Sequence, residues 1–283
     1  DLIDNSALYG VKEGEYGRAN KGLAIMILAK LYLNAEVYIG TPMYQQCADV
    51  LAKLGTSYSL ESDYQNLFLA DNHLCTNEFI FTVEQDGQNT QSYGVTNYLI
   101  FAATGGSMDT NKVGISSGWG GLSVTKQVAE RFTANDARAL FFTDYGTEIV
   151  DIFTFTSGGY KSMKFRNVNH DGSAAQANGF VDTDFPLFRA ADAYLMFAEC
   201  AKRGAASDSE GLAALNAVRE RAGLTAAASY NLQDVLDERS RELLWEGCRR
   251  SDLIRYGMFT TADYLWEYKG AAKEGTAVSD HRN

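Results

Sequence analysis

The sequence predicts a mainly α fold, in which pairs of helices form a scaffold and carry a loop-rich insert with short strands. Apolar residues recur at helical spacing over residues 16–55 and again over 187–260. The stretch 56–186 between them is instead rich in Gly, Ser, Thr, Asn and aromatic residues, which is typical of loops. With 283 residues, 46% of them hydrophobic, the chain is long enough to bury a sizeable core.

Residues 16–55 are expected to form a helix hairpin. Residues 17–39 predict a first helix that is apolar on every side, so that neighbours should cover all its faces. Thr41 and Pro42 predict the N-cap and first position of a second helix, which Gly55 should end. The spacing i, i+3, i+4, i+7 assigns its buried face to Tyr44, Cys47, Ala48, Leu51 and Leu54.

Residues 187–260 repeat this plan and add a charged helix. One helix is expected to end at Gly204 and the next at Gly223. Their apolar stripes are Tyr194, Phe197, Ala198 and Ala201 in the first helix, and Leu212, Leu215 and Ala222 in the second. The size of these pairs, with small residues such as Ala29, is typical of tetratricopeptide units, which stack helix pairs.

The charged helix is predicted from Asn231, an N-cap with Asp234 three residues on, to about Gly247. Its acidic residues at i, i+4, i+8 are Glu238, Glu242 and Glu246, and its arginines are Arg239, Arg241, Arg249 and Arg250. Such a cluster suggests catalysis or a structural network. Because salt-bridged carboxylates have lowered pKa values and make poor general acids, we expect the network, which would lock this helix to the others.

The insert at 56–186 is the expected ligand-binding part, since binding residues concentrate on loops held by a rigid scaffold. Its short β-prone runs are 79–84 and 148–155, and glycines punctuate the rest.

Charge and composition exclude several classes of function. The net charge of -11 and the pI of about 4.8 repel phosphate backbones, so no nucleic-acid partner is expected. No apolar run approaches the roughly 20 residues that span a bilayer. Cys47 and Cys200 fall on apolar helix positions, and no cysteine pair predicts zinc. His73, His170 and His281 have no partner pattern for a triad or a metal site.

Six segments, in order along residues 16–270, resemble the SusD/RagB family of outer-membrane glycan-binding lipoproteins. They are Tyr16-Gly-Arg-Ala-Asn-Lys-Gly with Ala29-Lys-Leu-Tyr-Leu, Tyr58-Ser-Leu with Tyr64 and Phe68, Asn77-Glu-Phe-Ile-Phe, Phe188-Arg-Ala-Ala-Asp-Ala-Tyr, Leu215-Asn-Ala-Val-Arg-Glu-Arg, and Glu238-Arg through Arg255-Tyr-Gly. The loops at 86–94, 105–109, 114–121, 182–186 and 264–270 look most like the starch-binding branch.

The resemblance implies a surface-exposed lipoprotein of the outer membrane of Bacteroidetes-type bacteria. Such a protein sits on a TonB-dependent SusC-like transporter, delivers oligosaccharides to it and does not hydrolyse them. The family's N-terminal part, with its lipoprotein Cys and first helical repeats, and its C-terminal tail have no counterpart in these 283 residues. We therefore expect a fragment, a single SusD-like domain over 1–283, with membrane contact only through an anchor that this sequence lacks.

Trp119 is the first candidate ligand-binding residue. Flanking glycines leave its indole free to project from a loop, where a sugar ring could stack; the alternative is that it plugs a minor core beneath the loop. Tyr93 and Tyr98 lie on a neighbouring segment. Asn89 and Gln91 offer amide hydrogen bonds to sugar hydroxyls.

Asp86, Asn89, Asp182 and Asp184 are candidate ligands of a structural Ca²⁺, because they combine carboxylate and amide oxygens in short turns. The alternative is that they cap turns through Asx hydrogen bonds, which we favour slightly. No cofactor is otherwise required.

The leading functional hypothesis is non-catalytic binding of an α-glucan such as starch or maltooligosaccharide. The same architecture could bind another glycan. A glycoside hydrolase would need two carboxylates about 5 to 10 Å apart in a cleft, and the acids here form no recognisable motif. A protein-binding helical repeat is the remaining class.

Overall fold

A computed structural model describes residues 8–278 and confirms a mainly α fold with few short strands. His281 lies outside the described residues. The helices are α1 Lys21–Leu33, α2 Ala35–Ile39, α3 Tyr44–Ala52, α4 Val95–Ala103, α5 Thr110–Val113, α6 Lys126–Ala129, α7 Ala190–Cys200, α8 Asp208–Arg221, α9 Leu232–Glu242 and α10 Arg249–Arg255. The strands are β1 Phe79–Val83, β2 Phe141–Phe142, β3 Lys161–Ser162 and β4 Phe185–Arg189.

Within the described chain two compact units can be distinguished. The helical unit comprises residues 8–60, 77–81 and 187–278, and the loop unit comprises 61–76 and 82–186. β1 pairs with β4 in one two-stranded sheet, and β2 pairs antiparallel with β3 in another. None of the helices found in residues 8–278 combines the length and the apolar character needed to cross a bilayer.

The first predicted helix is shorter than expected and is broken. α1 begins after Asn20, whose side chain accepts a hydrogen bond from the Leu23 amide at 3.0 Å. It ends at Leu33, and after the C-cap residue Asn34 the chain restarts as α2. Ile27 and Leu31 are exposed, so the expectation that all faces are covered is wrong for the described residues. The core-facing positions are Ile25, Met26, Ala29 and Leu33, which lie on the opposite side of the helix.

The second helix, α3, begins at Tyr44 rather than after a Thr41 cap. Gly40 adopts a left-handed φ of 69°, and the N-cap position is Met43, which makes no side-chain capping bond. The predicted apolar face is otherwise confirmed, because Cys47, Ala48, Leu51 and Leu54 are buried and Tyr44 packs against the same core.

In the second helix pair, α7 ends at Cys200 and a π-helical turn over Ala201–Ala205 reaches the predicted Gly204, while α8 ends at Arg221, two residues before the predicted Gly223. The chain turns at Gly204, whose φ is 92°, and α8 starts with a capping box between Ser207 and Glu210. α9 likewise starts with a capping box between Asn231 and Asp234, as predicted. A second apolar cluster joins these helices through buried residues that include Leu195, Ala198, Leu215, Val218, Tyr230 and Val235.

The charged segment forms a buried ionic network, which confirms its structural interpretation. Arg189, just before α7, bonds Glu78 at 2.7 Å, Glu242 at 2.5 Å and Glu246 at 2.6 Å, and all four side chains are buried. α9 ends at Glu242, earlier than the predicted Gly247, so Glu246 is not on the helix. The backbone there turns through Trp245, which has a φ of 62°.

Two further arginines extend this ionic network. Arg239 bonds Asp192 at 2.9 Å and Asp252 at 2.8 Å, and Arg255 bonds Glu199 at 2.7 Å. Burial alone would raise the pKa of Glu199, but the charge and hydrogen bond of Arg255, together with the charges of Arg203 and Arg239, outweigh burial and lower that pKa.

In the loop unit the run at 148–155 does not form the predicted strand. The Asp151 carboxylate accepts hydrogen bonds from the Phe153 amide at 2.9 Å and the Thr154 hydroxyl at 2.7 Å, so a side-chain-capped turn replaces the strand. The strand predicted at 79–84 is confirmed as β1.

Candidate functional site

Five aromatic rings of the loop unit, with Trp119 at their centre, form what we call the aromatic platform. Trp119 lies 5.0 Å from Phe101, 6.0 Å from Tyr93 and 6.4 Å from Tyr98, measured between ring centroids. Phe180 packs on Tyr93 at 5.3 Å. The side chains that sequence predicted are the exposed ones, at 44% for Trp119, 69% for Tyr93 and 46% for Tyr98, whereas Phe101 is buried beneath them.

The position of Trp119 is set by hydrogen bonds to the end of α4. The Trp119 amide donates to the Phe101 carbonyl at 2.8 Å, and the Gly120 amide donates to the Thr104 carbonyl at 2.9 Å. The amides of Gly121 and Leu122 both donate to the Ala102 carbonyl at 2.8 Å. These bonds satisfy carbonyls that a helix end leaves unpaired, so the loop is held rigidly. Trp119 therefore covers Phe101 and still presents surface to solvent.

Glycines allow the close approach of this loop to α4. A Cβ on Gly118 would overlap with the carbonyl oxygen of Thr104, and a Cβ on Gly105 would meet the Gly120 Cα at 2.9 Å. The Phe155 ring fills the space beside Gly105 and Gly120, and would lie 3.1 Å from a Cβ at either position.

We expect Gly118→Ala to lower the free energy of unfolding by about 1 to 3 kcal/mol, because the added methyl group must displace either the loop or the Thr104 carbonyl. Gly121→Ala is the matched control, since nothing lies within 4 Å of its Cβ position, and it should change stability by less than about 0.5 kcal/mol. Urea denaturation of both variants measures the difference. Equal stabilities would show that the loop is not tightly seated.

The predicted amide residues lie on a turn built around Asp86. Its carboxylate accepts hydrogen bonds from the Gln88 amide at 2.8 Å, the Asn89 amide at 2.9 Å and the Asn89 side chain at 2.8 Å. The Asn89 side chain is the main cause that lowers the pKa of Asp86. The Gln91 side chain donates to the Gly87 carbonyl at 3.3 Å. Both amide side chains are exposed and keep their oxygens available to a ligand.

The predicted calcium ligands Asp182 and Asp184 are buried and hold the same turn. Asp182 accepts hydrogen bonds from the amides of Gly87 and Gln176, each at 2.8 Å, and Asp184 accepts one from Gln85 at 2.6 Å. These hydrogen bonds are the ones expected if the aspartates cap turns, which is the alternative to a calcium site. Over residues 8–278, no three His, Cys, Asp or Glu side chains are grouped as a metal site would require. The calcium site of Asp86, Asn89, Asp182 and Asp184 remains a prediction.

Sequence reasoning missed two rings of the aromatic platform, Phe101 and Phe180, and the Phe155 ring that packs beside its loop. Phe101 follows Tyr98 by three residues on α4, a spacing that places both on one helix face. The spacing of Tyr98 and Phe101 could therefore have predicted that Phe101 belongs to the platform. Phe180 and Phe155 reach the site only through tertiary structure, and no local pattern marks them.

The surface of this site suits a flat, neutral ligand with an apolar face. The exposed aromatic rings supply area for stacking, and Asn89 and Gln91, on the turn that precedes Tyr93, supply hydrogen-bonding groups. The nearby carboxylates of Asp86 and Asp182 are engaged with backbone amides, which disfavours their use as a general acid and base.

Two comparisons with known proteins, by family model and by sequence, point to the same family. A model described as the SusD family matches residues 142–283, half of the chain. The chain is 31% identical, over 331 aligned positions, to the starch-binding protein SusD of Bacteroides thetaiotaomicron. That alignment covers 98% of this chain and 59% of the relative, so the chain spans about three fifths of the relative's length.

Solved structures share the fold. Surface glycan-binding protein A of Bacteroides thetaiotaomicron, in complex with laminarihexaose, superposes with a TM-score of 0.75 at 20% identity, covering 99% of this chain and 63% of that one. The protein of the same name from Bacteroides uniformis gives 0.73 at 23% identity, covering 98% and 61%.

Proposed function

Because the chain belongs to the SusD family, we propose that it binds glycans at the cell surface without hydrolysing them, and that its ligand is an α-glucan such as starch or maltooligosaccharide. The observation that carries this proposal is the aromatic platform, in which Trp119, Tyr93 and Tyr98 present half-exposed rings around one centre. Folding alone does not account for three such large apolar side chains gathered at the surface, and exposed apolar patches mark binding sites.

Several features of the platform favour a sugar chain. The Tyr93 and Tyr98 rings are tilted by 50° and 53° relative to Trp119, so the three rings do not lie in one plane. Rings that face in different directions can stack on successive residues of a glucan that coils, and the neutral amides of the neighbouring turn match neutral hydroxyls. The 31% identity to a starch-binding protein points in the same direction.

We further propose that the protein delivers its ligand to a TonB-dependent SusC-like transporter in the outer membrane, with the ligand held by residues 56–186. This role rests on the family resemblance. Binding needs no cofactor, and a structural Ca²⁺ at the Asp86 turn is a separate hypothesis.

Another glycan is the second candidate ligand. A structural neighbour was solved with laminarihexaose, so this fold also accepts glucans of another linkage. The same aromatic platform would then stack a chain with a different curvature.

Calorimetric titration separates these ligands. We expect maltoheptaose to bind more tightly than laminarihexaose and an oligosaccharide of cellulose, with no reducing sugar released during incubation. Tighter binding of laminarihexaose would favour the second candidate. Absence of binding to all three glycans would contradict the proposed function, and release of reducing sugar would indicate a hydrolase.

A further inference from the structure

Beside the aromatic platform the loop unit contains a separate cavity of about 220 Å³, between α5 and the segment 168–178. We call it the alanine pocket, because Ala174, Ala175 and Ala177 line it. We propose that the alanine pocket is a subsite for one neutral sugar residue of a glycan whose neighbouring residues lie on the aromatic platform. This inference rests on the proposed function.

The walls of the alanine pocket are fixed before any ligand arrives. The buried side chain of Asn167 donates hydrogen bonds to the carbonyls of Gly114 at 2.9 Å and Ala177 at 2.7 Å, and accepts one from the Asp182 amide at 2.8 Å. A β-bridge between Val168 and Ala174 closes the hairpin that forms one wall. A preformed pocket spares a ligand the cost of ordering it.

The chemistry of the lining selects a neutral ligand. Among the residues that the structure describes, no charged side chain lines this cavity, which disfavours uronic acids and amino sugars. Asn111 and Asn178 stand at the exposed edge, and within residues 8–278 their side-chain amides make no hydrogen bond to the protein. Such amides can donate to and accept from hydroxyl groups, while Ile115 and Val168 offer apolar contact to the C–H face of a ring.

The size of the alanine pocket limits it to a single unit. Sites that enclose a drug-sized ligand measure about 300 to 1,000 Å³, whereas this cavity is about 220 Å³. An oligosaccharide could therefore place only one ring here and must continue outside.

Two short connections join the alanine pocket to the aromatic platform. The Ser116 amide donates to the Asn178 carbonyl at 2.9 Å, which ties both pocket edges together. Trp119 lies three residues after Ser116, a separation of at most about 11 Å between Cα atoms. Phe180, two residues after Asn178, packs on Tyr93. A single glycan chain can thus contact the pocket and the platform at once.

The test compares a long and a short ligand. Maltoheptaose can occupy both places, whereas maltotriose can be held by the platform alone. We expect the double variant Asn111→Ala/Asn178→Ala and the pocket-filling variant Ala175→Phe to weaken binding of maltoheptaose about tenfold, or about 1.4 kcal/mol. Their affinity for maltotriose should stay unchanged. Asn135→Ala, at an exposed asparagine outside the alanine pocket, is the control and should bind both sugars normally.

Each outcome has a distinct meaning. If the unaltered protein binds neither sugar, the proposed α-glucan function fails and this inference fails with it. If it binds maltoheptaose and both pocket variants bind it equally well, only the subsite is overturned. Equal losses for maltotriose and maltoheptaose would also overturn it, because the variants would then act on the platform rather than on a separate subsite.

Discussion

Replacing Arg189 with methionine is expected to lower the free energy of unfolding by about 3 to 5 kcal/mol, the cost of breaking a buried ion pair by removing one partner. Arg189 is buried and bonds three buried carboxylates, those of Glu78, Glu242 and Glu246. Its removal leaves negative charges close together in the protein interior. Since folded domains are stable by only about 5 to 15 kcal/mol, the variant should be much less stable or unfolded.

The charge balance supports this expectation. Burial disfavours the charged guanidinium, but Glu246, Glu242 and Glu78 more than offset it, and the pKa of Arg189 is raised well above its ordinary value. Arg221 bonds Glu78 at 2.9 Å and also contacts Glu242, but it cannot replace the three bonded donors of Arg189. Arg189→Lys keeps the charge but loses the forked geometry of the guanidinium. We therefore expect its free energy of unfolding to lie between those of the unaltered protein and Arg189→Met.

Arg18→Ala is the control for Arg189→Met. Arg18 lies 4.0 Å from Glu15, and both side chains are largely exposed, so its removal should change the free energy of unfolding by no more than about 1 kcal/mol. Urea denaturation followed by circular dichroism measures all three variants. A loss below 1 kcal/mol in Arg189→Met would show that the buried acids find other partners or become protonated at little cost.

The contrast between this ionic network and the aromatic platform shows what local sequence can predict. Spacing and charge were enough to assign Glu238 and Glu242 to a structural network, because carboxylates that are salt-bridged to neighbouring arginines make poor general acids. The hub of that network was not predictable, since Glu78 and Arg189 are 111 residues apart and meet only in the folded chain. Glu246 was placed on the helix by periodicity alone, and the turn at Trp245 removes it.

The platform was predicted in its exposed part and missed in its supporting part. Glycines around Trp119 signalled a projecting ring, and Tyr93 and Tyr98 were close enough in sequence to be grouped with it. Phe180 lies more than 60 residues after both Tyr93 and Trp119 in the sequence, so only tertiary structure brings it to Tyr93. The run at 148–155 failed as a strand for a local reason: Asp151 competes for the backbone and closes a turn.

Trp119→Ala is expected to weaken binding of maltoheptaose about 5- to 150-fold, if sugar stacking matches the roughly 1 to 3 kcal/mol measured for bases on aromatic side chains. Trp119 is the ring that contacts Tyr93, Tyr98 and Phe101, so its loss removes the centre of the platform. Trp119→Phe keeps an aromatic face and should retain part of the affinity. Calorimetric titration gives the dissociation constant for each variant.

Two measurements separate a binding role for Trp119 from a packing role. Its contact with buried Phe101 means that alanine will also lower thermal stability, so the melting temperature must be recorded beside the affinity. Tyr38→Ala removes an aromatic side chain of the helical unit that is more exposed than Trp119, at 62% against 44%, and should leave affinity unchanged. Because the loop bonds to α4 are made by backbone groups, Trp119→Ala should keep the loop in place. A stability loss with unchanged affinity would therefore assign Trp119 to packing over Phe101 and place the glycan elsewhere.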